Sequence, residues 1–144
     1  MNTRATVLIG LALLVGASAG CSKSEKDLLR ERTKRLNEAA DVLATVTDRE
    51  SYEKAKPKLK AFMAYRREAN AEALEKEEKM SPEEKEAANK EREKLKNDPE
   101  YEKSREAIKR YASENARVLE SPEIGELYSK EIVGEVENGT STGD

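Results

Sequence analysis

Between Ser24 and Ala73 the apolar side chains return at steps of three and four, and this spacing constrains the fold more than any other feature of the chain. From Ser24 to Val46 they fall at Leu28/Leu29, Leu36, Ala39/Ala40, Leu43 and Val46, with Leu29, Leu36 and Leu43 seven residues apart. On a helix this recurrence draws one stripe, whereas on a strand it would be divided between both faces. It predicts a helix over 24–46, capped by Ser24, with Asp27 at the positive end of the helix dipole. A second stripe through Tyr52, Ala55, Leu59, Phe62, Arg66, Ala69 and Ala73 predicts a helix over 48–79. At 1.5 Å per residue it would be roughly 48 Å long. Thr47-Asp48-Arg49-Glu50 fits a capping box in which the Thr47 oxygen and the Glu50 carboxylate satisfy backbone donors reciprocally. Pro57 interrupts the second stripe: it lacks an amide donor and collides with the carbonyl four residues back. A kink near Ala55–Pro57, or a short helical turn ahead of the long helix, is expected there.

Three later segments share one start signal: Ser81-Pro82-Glu83, Asp98-Pro99-Glu100 and Ser121-Pro122-Glu123. A capping oxygen, proline at the first helical position and an acid in the first turn predict helices over 82–97, 99–119 and 122–133. The first of these has few large apolar groups beyond Leu95 and reads as an exposed arm, with 99–119 as its kinked continuation. The helix over 99–119 regains a stripe through Tyr101, Ile108, Tyr111 and Val118/Leu119, and the last helix offers Ile124, Leu127, Tyr128 and Ile132. Residues 134–144 are rich in Gly and acid and are expected to be a disordered tail. Glutamates four residues before a Lys or Arg, such as Glu50/Lys54, Glu75/Lys79, Glu86/Lys90 and Glu126/Lys130, add about 0.2–0.5 kcal/mol of helix stability each. The expected fold is all-α: an elongated antiparallel helical hairpin or three-helix bundle with a short C-terminal helix.

Function is bounded mainly by what the chain contains too little of. Among 144 residues there are 27 Lys or Arg and 30 Asp or Glu, against five Tyr, one Phe and no Trp, so a large enclosed active-site core is not expected. There is no His and one Cys. The commonest acid–base catalyst, the commonest metal ligand and a disulfide framework are therefore missing. No G-x-S-x-G, Gly-rich phosphate loop or EF-hand spacing occurs, and thin helices offer little burial to separate the pKa values of a carboxylate pair. The acid clusters around Glu75–Glu78 and Glu83–Glu86 are interleaved with lysines and read as solvated helix faces. The basic run Lys54–Lys60 places alternate lysines about 200° apart on a helix, so it forms no single stripe for nucleic acid. Neither an enzyme nor a cofactor is expected. The five tyrosines, Tyr52, Tyr65, Tyr101, Tyr111 and Tyr128, read either as recognition anchors or as the bulk of a sparse core. With so little apolar material the monomer is marginal, so a protein partner or self-association that covers an open helical face is expected.

The first twenty residues read as a secretory signal. Arg4 precedes the uncharged stretch from Ala5 to Val15, followed by the small residues Gly16-Ala17-Ser18-Ala19-Gly20. An apolar run this short falls well below the roughly 20 residues that span a bilayer. Cys21 follows at once. Ala19, Gly20 and Cys21 resemble the lipobox of bacterial lipoproteins, and the chain as a whole resembles small helical lipoproteins; Ser18 stands where that family usually carries an aliphatic residue. The resemblance implies cleavage between Gly20 and Cys21, a lipid on the Cys21 sulfur and a non-enzymatic envelope protein held to the membrane through it. Ser22 in place of an aspartate implies, in a two-membrane bacterium, the periplasmic face of the outer membrane. Ala17-Ser18-Ala19 also fits an ordinary A-x-A cleavage site, which leaves open a soluble exported binding or inhibitor protein.

Overall fold

A computed structural model describes residues 24–134, and over them the chain is helical with no strand. The expected signal (1–20) and, apart from Gly134, the expected tail lie outside the described residues. The elements are α1 (Glu25–Ala44), α2 (Arg49–Lys79), α3 (Pro82–Leu95), α4 (Pro99–Leu119) and α5 (Gly125–Tyr128), which runs on into a π-helical turn over Ser129–Val133.

Local side chains start most of these helices. Ser24 accepts the Asp27 amide at 3.1 Å and donates its own hydroxyl to the Asp27 carboxylate at 2.7 Å. The box that opens α2 lies one residue later than Thr47 and Glu50 suggest. Asp48 caps the Ser51 amide at 2.8 Å, while the Ser51 hydroxyl accepts both the Asp48 and Thr47 amides at 3.0 Å. One hydroxyl thus serves the donors that Glu50 was expected to meet, and Glu50 pairs instead with Lys54 at 2.6 Å. Ser81 with Glu84 makes a full box for α3, and Asp98 caps α4 through the Glu100 amide at 2.9 Å.

Two expectations need correction. Pro57 sits inside one continuous α2, so no separate helical turn precedes the long helix; it lies on the exposed side, where water can take the place of the missing amide at the Glu53 carbonyl. The third start signal opens no helix: 122–124 form a turn, and α5 begins at Gly125 with no side-chain cap from Ile124. The backbone at Gly125 passes so close to the end of α4 that a Cβ there would stand 2.2 Å from the Leu119 carbonyl oxygen.

A short turn reverses α1 into α2. After the α2–α3 reversal at Met80 and Ser81, α3 and α4 run in the same general direction, broken at Asn97 and Asp98. The third arm therefore returns parallel to α1, and charges set the register. Lys26 meets Asp98 at 2.8 Å and Arg30 meets Glu100 at 3.8 Å near the start of both helices, while Asp41 meets Arg110 further along. At the far end Arg117 reaches over from α4 and donates to the Leu43 and Val46 carbonyls at 2.7 and 2.9 Å. Ala39 and Ala40 on α1 and Ser104 and Ala107 on α4 are buried. Their small size suits the close approach of these two helices.

Leu36, Leu43, Val46, Tyr52, Leu59, Phe62, Tyr111, Val118, Ile124, Tyr128 and Ile132 form one continuous core, so α1, α2, α4 and the C-terminal segment are a single unit. Burying each of the larger aliphatic side chains contributes about 2 kcal/mol. The C-terminal segment clasps the open end of this bundle. The Tyr52 hydroxyl donates to Glu131 at 2.7 Å, Lys56 pairs with Glu131 at 2.8 Å, and the Tyr128 hydroxyl donates to Asn115 at 2.6 Å. The Tyr52 and Tyr128 rings meet edge to face at 6.4 Å. Beyond Ala69 the chain is an arm of charged helix whose buried residues are Ala73, Ala88 and Leu95, while Leu74 is 64% exposed.

Candidate functional site

The first candidates, Gly20 and Cys21, lie outside the described residues. Only Ser22 and Lys23 separate Cys21 from Ser24, the cap of α1. Of the five tyrosines, Tyr52, Tyr111 and Tyr128 are buried. Their rings are core: Tyr52 and Tyr128 anchor the clasp, and Tyr111 packs on Phe62 with ring centres 5.3 Å apart. Burial pushes the Tyr128 phenol well above its ordinary range, with Tyr111 adding to the effect, so it stays a neutral hydrogen-bond donor. Tyr101 is half-buried near the start of α4. Tyr65 lines a groove.

That groove lies between α1 and α2 and encloses about 640 Å³. Its floor is Ala39, Val42, Ala61 and Phe62, with Tyr65 at one end and Arg35, Glu38, Asp41 and Lys58 around the rim. Apart from Val42, Phe62 and Tyr65, the residues that line it are alanine or charged. Arg35 lies 5.3 Å from the Tyr65 ring centre and 3.6 Å from Glu38, which fixes the tyrosine end. An apolar floor between charges of both signs offers contact chemistry for a partner's surface.

Deeper in the bundle stand two arginines on core stripes. Arg66 takes the position between Phe62 and Ala69, as the spacing of the second stripe implies; Arg32 takes the corresponding place between Leu29 and Leu36 on α1. Both are half-buried. The Arg66 guanidinium lies 6.0 Å from the ring centres of Phe62 and of Tyr111. Burial, and then the charge of Arg66, lower the pKa of Arg32, with Tyr65 opposing them. At the clasp, hydrogen bonds from Lys56 and then Tyr52 hold the Glu131 carboxyl below the usual carboxylate range.

Among the described residues no group of three or more Cys, Asp or Glu is placed to hold a metal ion, and no helix is long and apolar enough to cross a membrane. No protein-family model matches the chain, and comparison with curated proteins and with solved structures gives no match.

Sequence reasoning passed over Arg32, Arg117 and Glu131. Steps of three and four through 29, 32 and 36 put Arg32 on the stripe, so that signal was present. Arg117 and Glu131 carry no such signal, because their partners lie 71 or more residues away and 79 residues away respectively.

Proposed function

We propose that this chain is a lipid-anchored, non-enzymatic protein of the bacterial cell envelope, a helical interaction module, spacer or assembly accessory. The observation that carries the reading is Gly20-Cys21 directly behind the apolar run Ala5–Val15. A lipid on the Cys21 sulfur leaves a short reach to α1: three residues extend at most about 10 Å, so the bundle stands close against the membrane surface. Each buried methylene contributes about 0.8 kcal/mol, and two or more acyl chains anchor stably where one would not. In a two-membrane bacterium, Ser22 favours the periplasmic face of the outer membrane. The α1–α2 groove, with Tyr65 at its end, is the surface such a module would offer to an envelope partner.

Replacing the sulfur tests the reading. The Cys21→Ser chain should pass from the membrane fraction to the soluble fraction of cells that retain the parent in the membrane. Mass spectrometry of the mature amino terminus should find an acylated Cys21. An unmodified Gly20 at the terminus would refute the anchor and establish instead a soluble exported binder or inhibitor cut after Ala19, the reading that Ala17-Ser18-Ala19 favours.

A further inference from the structure

We propose that the α1–α2 groove is the interface for a second copy of this chain, with two copies pairing groove to groove about a two-fold axis that runs along the helices. The inference rests on the groove as the docking surface of the proposed module and names its occupant. The lining residues fix the two ends of the groove. At one end the Arg35 guanidinium lies 5.3 Å from the Tyr65 ring centre. Asp41 lies six residues further along α1, and Lys58 seven residues back along the antiparallel α2, about 10 Å in each case. These two therefore share the other end, on opposite rims. The α1 rim, with Arg35, Glu38 and Asp41, is net negative, and the α2 rim carries the cation Lys58.

Partners within the chain single out one of these charges. Arg35 pairs with Glu38 at 3.6 Å and Asp41 with Arg110, whereas Lys58 has no hydrogen bond or ion pair with another described residue. Arg110 donates to Oδ1 of Asp41, whose side chain is still 64% exposed, so Oδ2 is open to a second cation. A half-turn about an axis along the groove lays α1 of each copy over α2 of the other at the same height. Asp41 of each copy then faces Lys58 of the other, and the contact is made twice. Between these pairs the two floors meet. Ala39 and Ala61 are small enough for close helix approach, and Val42, Phe62 and Tyr65 supply the apolar area. The same axis leaves both amino termini pointing one way, as two chains anchored through Cys21 in one membrane require. An axis across the helices would turn one of them away from the membrane.

The test uses residues 21–144 with Cys21→Ser, which contain the whole core, so that copies meet in solution and the outcome does not depend on lipidation. Sedimentation equilibrium should show this parent dimerising below about 0.5 mM. Ala61→Arg, at an exposed position on the floor, should weaken the dimer about tenfold or more. So should Lys58→Glu and Asp41→Lys, each of which sets like charges against one another at both contacts. An equal mixture of the Lys58→Glu and Asp41→Lys chains should pair at close to the parent's affinity, because both contacts are then of opposite sign. Circular dichroism melts establish that each single variant is folded. If Asp41→Lys melts early for want of its pair with Arg110, carbodiimide coupling of mixed ¹⁴N and ¹⁵N parent chains makes the comparison, and it should join Lys58 of one copy to Asp41 of the other. A parent that stays monomeric at about 0.5 mM, variants that associate as the parent does, a folded mixture that stays apart, or the lack of that link overturns the pairing and gives the groove to a partner of other chemistry. Such a result leaves the anchor standing, since the mass of the mature amino terminus decides it separately.

Discussion

Arg117 is the side chain whose removal most directly probes the parallel pairing of α1 and α4. The last turn of α1 contains no basic residue, so its carbonyls and the negative end of its dipole have no cation of their own. Arg117 supplies one from α4, donating to Leu43 at 2.7 Å and to Val46 at 2.9 Å. Hydrogen bonds from a charged group to such acceptors contribute about 1.5–3 kcal/mol each. The two share one guanidinium whose side chain is itself 44% exposed, so Arg117→Ala should cost about 2–3 kcal/mol in all. The neighbouring pair with Glu114 at 2.8 Å is largely exposed and adds little. For a domain of this size the loss corresponds to a midpoint lowered by roughly 10 °C. Urea and thermal unfolding followed by far-ultraviolet circular dichroism would measure it. Arg117→Lys should recover part of the loss, because a point charge can serve one carbonyl and the dipole but not both acceptors. A cost for Arg117→Ala below about 0.5 kcal/mol would show that water serves the α1 terminus equally well, and the reasoning would fail.

Three further outcomes follow from individual atoms. The Ser104 hydroxyl is buried at 1% exposure without a hydrogen-bond partner among the described residues, so Ser104→Ala should raise stability by about 1 kcal/mol in the same urea titration. Gly125→Ala should destabilise the chain by about 2 kcal/mol or more, since its Cβ would fall 2.2 Å from a backbone oxygen that α4 holds in place; unchanged stability would mean that the 119–125 turn yields freely. The pH dependence of the clasp has a definite sign. Glu131 has a folded pKa below its ordinary 4.5, so its contribution is present above that value and is lost as pH falls through the lower folded value. The parent should therefore lose stability more steeply than Glu131→Gln as pH drops below 4.5, and parallel curves would exclude the clasp as the source.

What the sequence made legible follows the range of the interaction. Leu29, Leu36, Leu43, Tyr52, Leu59 and Phe62 are buried as the period of three and four requires, because which face a residue occupies on a helix is decided by its neighbours. The caps at Ser24, Ser81 and Asp98 were legible for the same reason. Thr47 and Asp48 compete for one terminus within a few residues, and the choice fell to the hydroxyl of Ser51. The Ser121-Pro122-Glu123 signal is as good locally as the other two, yet it yields a single turn, closed by the Gly125 amide on the Ser121 carbonyl at 2.9 Å, before α5 begins. The groove escaped notice because it belongs to two helices at once, and small residues such as Ala39 and Ala61 give no individual sign that they floor it. Cys21 is the reverse case, a candidate visible in the sequence alone.

The parallel pairing of α1 with α4 also determines when the molecule can be finished. Lys26 waits for Asp98, 72 positions further on, and Arg117 closes on Val46 across 71. A nascent or prematurely ended chain that stops short of Pro99 has the apolar side of its first helix half uncovered, with only α2 to shield it. Contacts across such separations close slowly, since a long loop must be gathered before they form. Helix α1 is thus made early and secured late, and its leucines stay bare in any copy that stops in between.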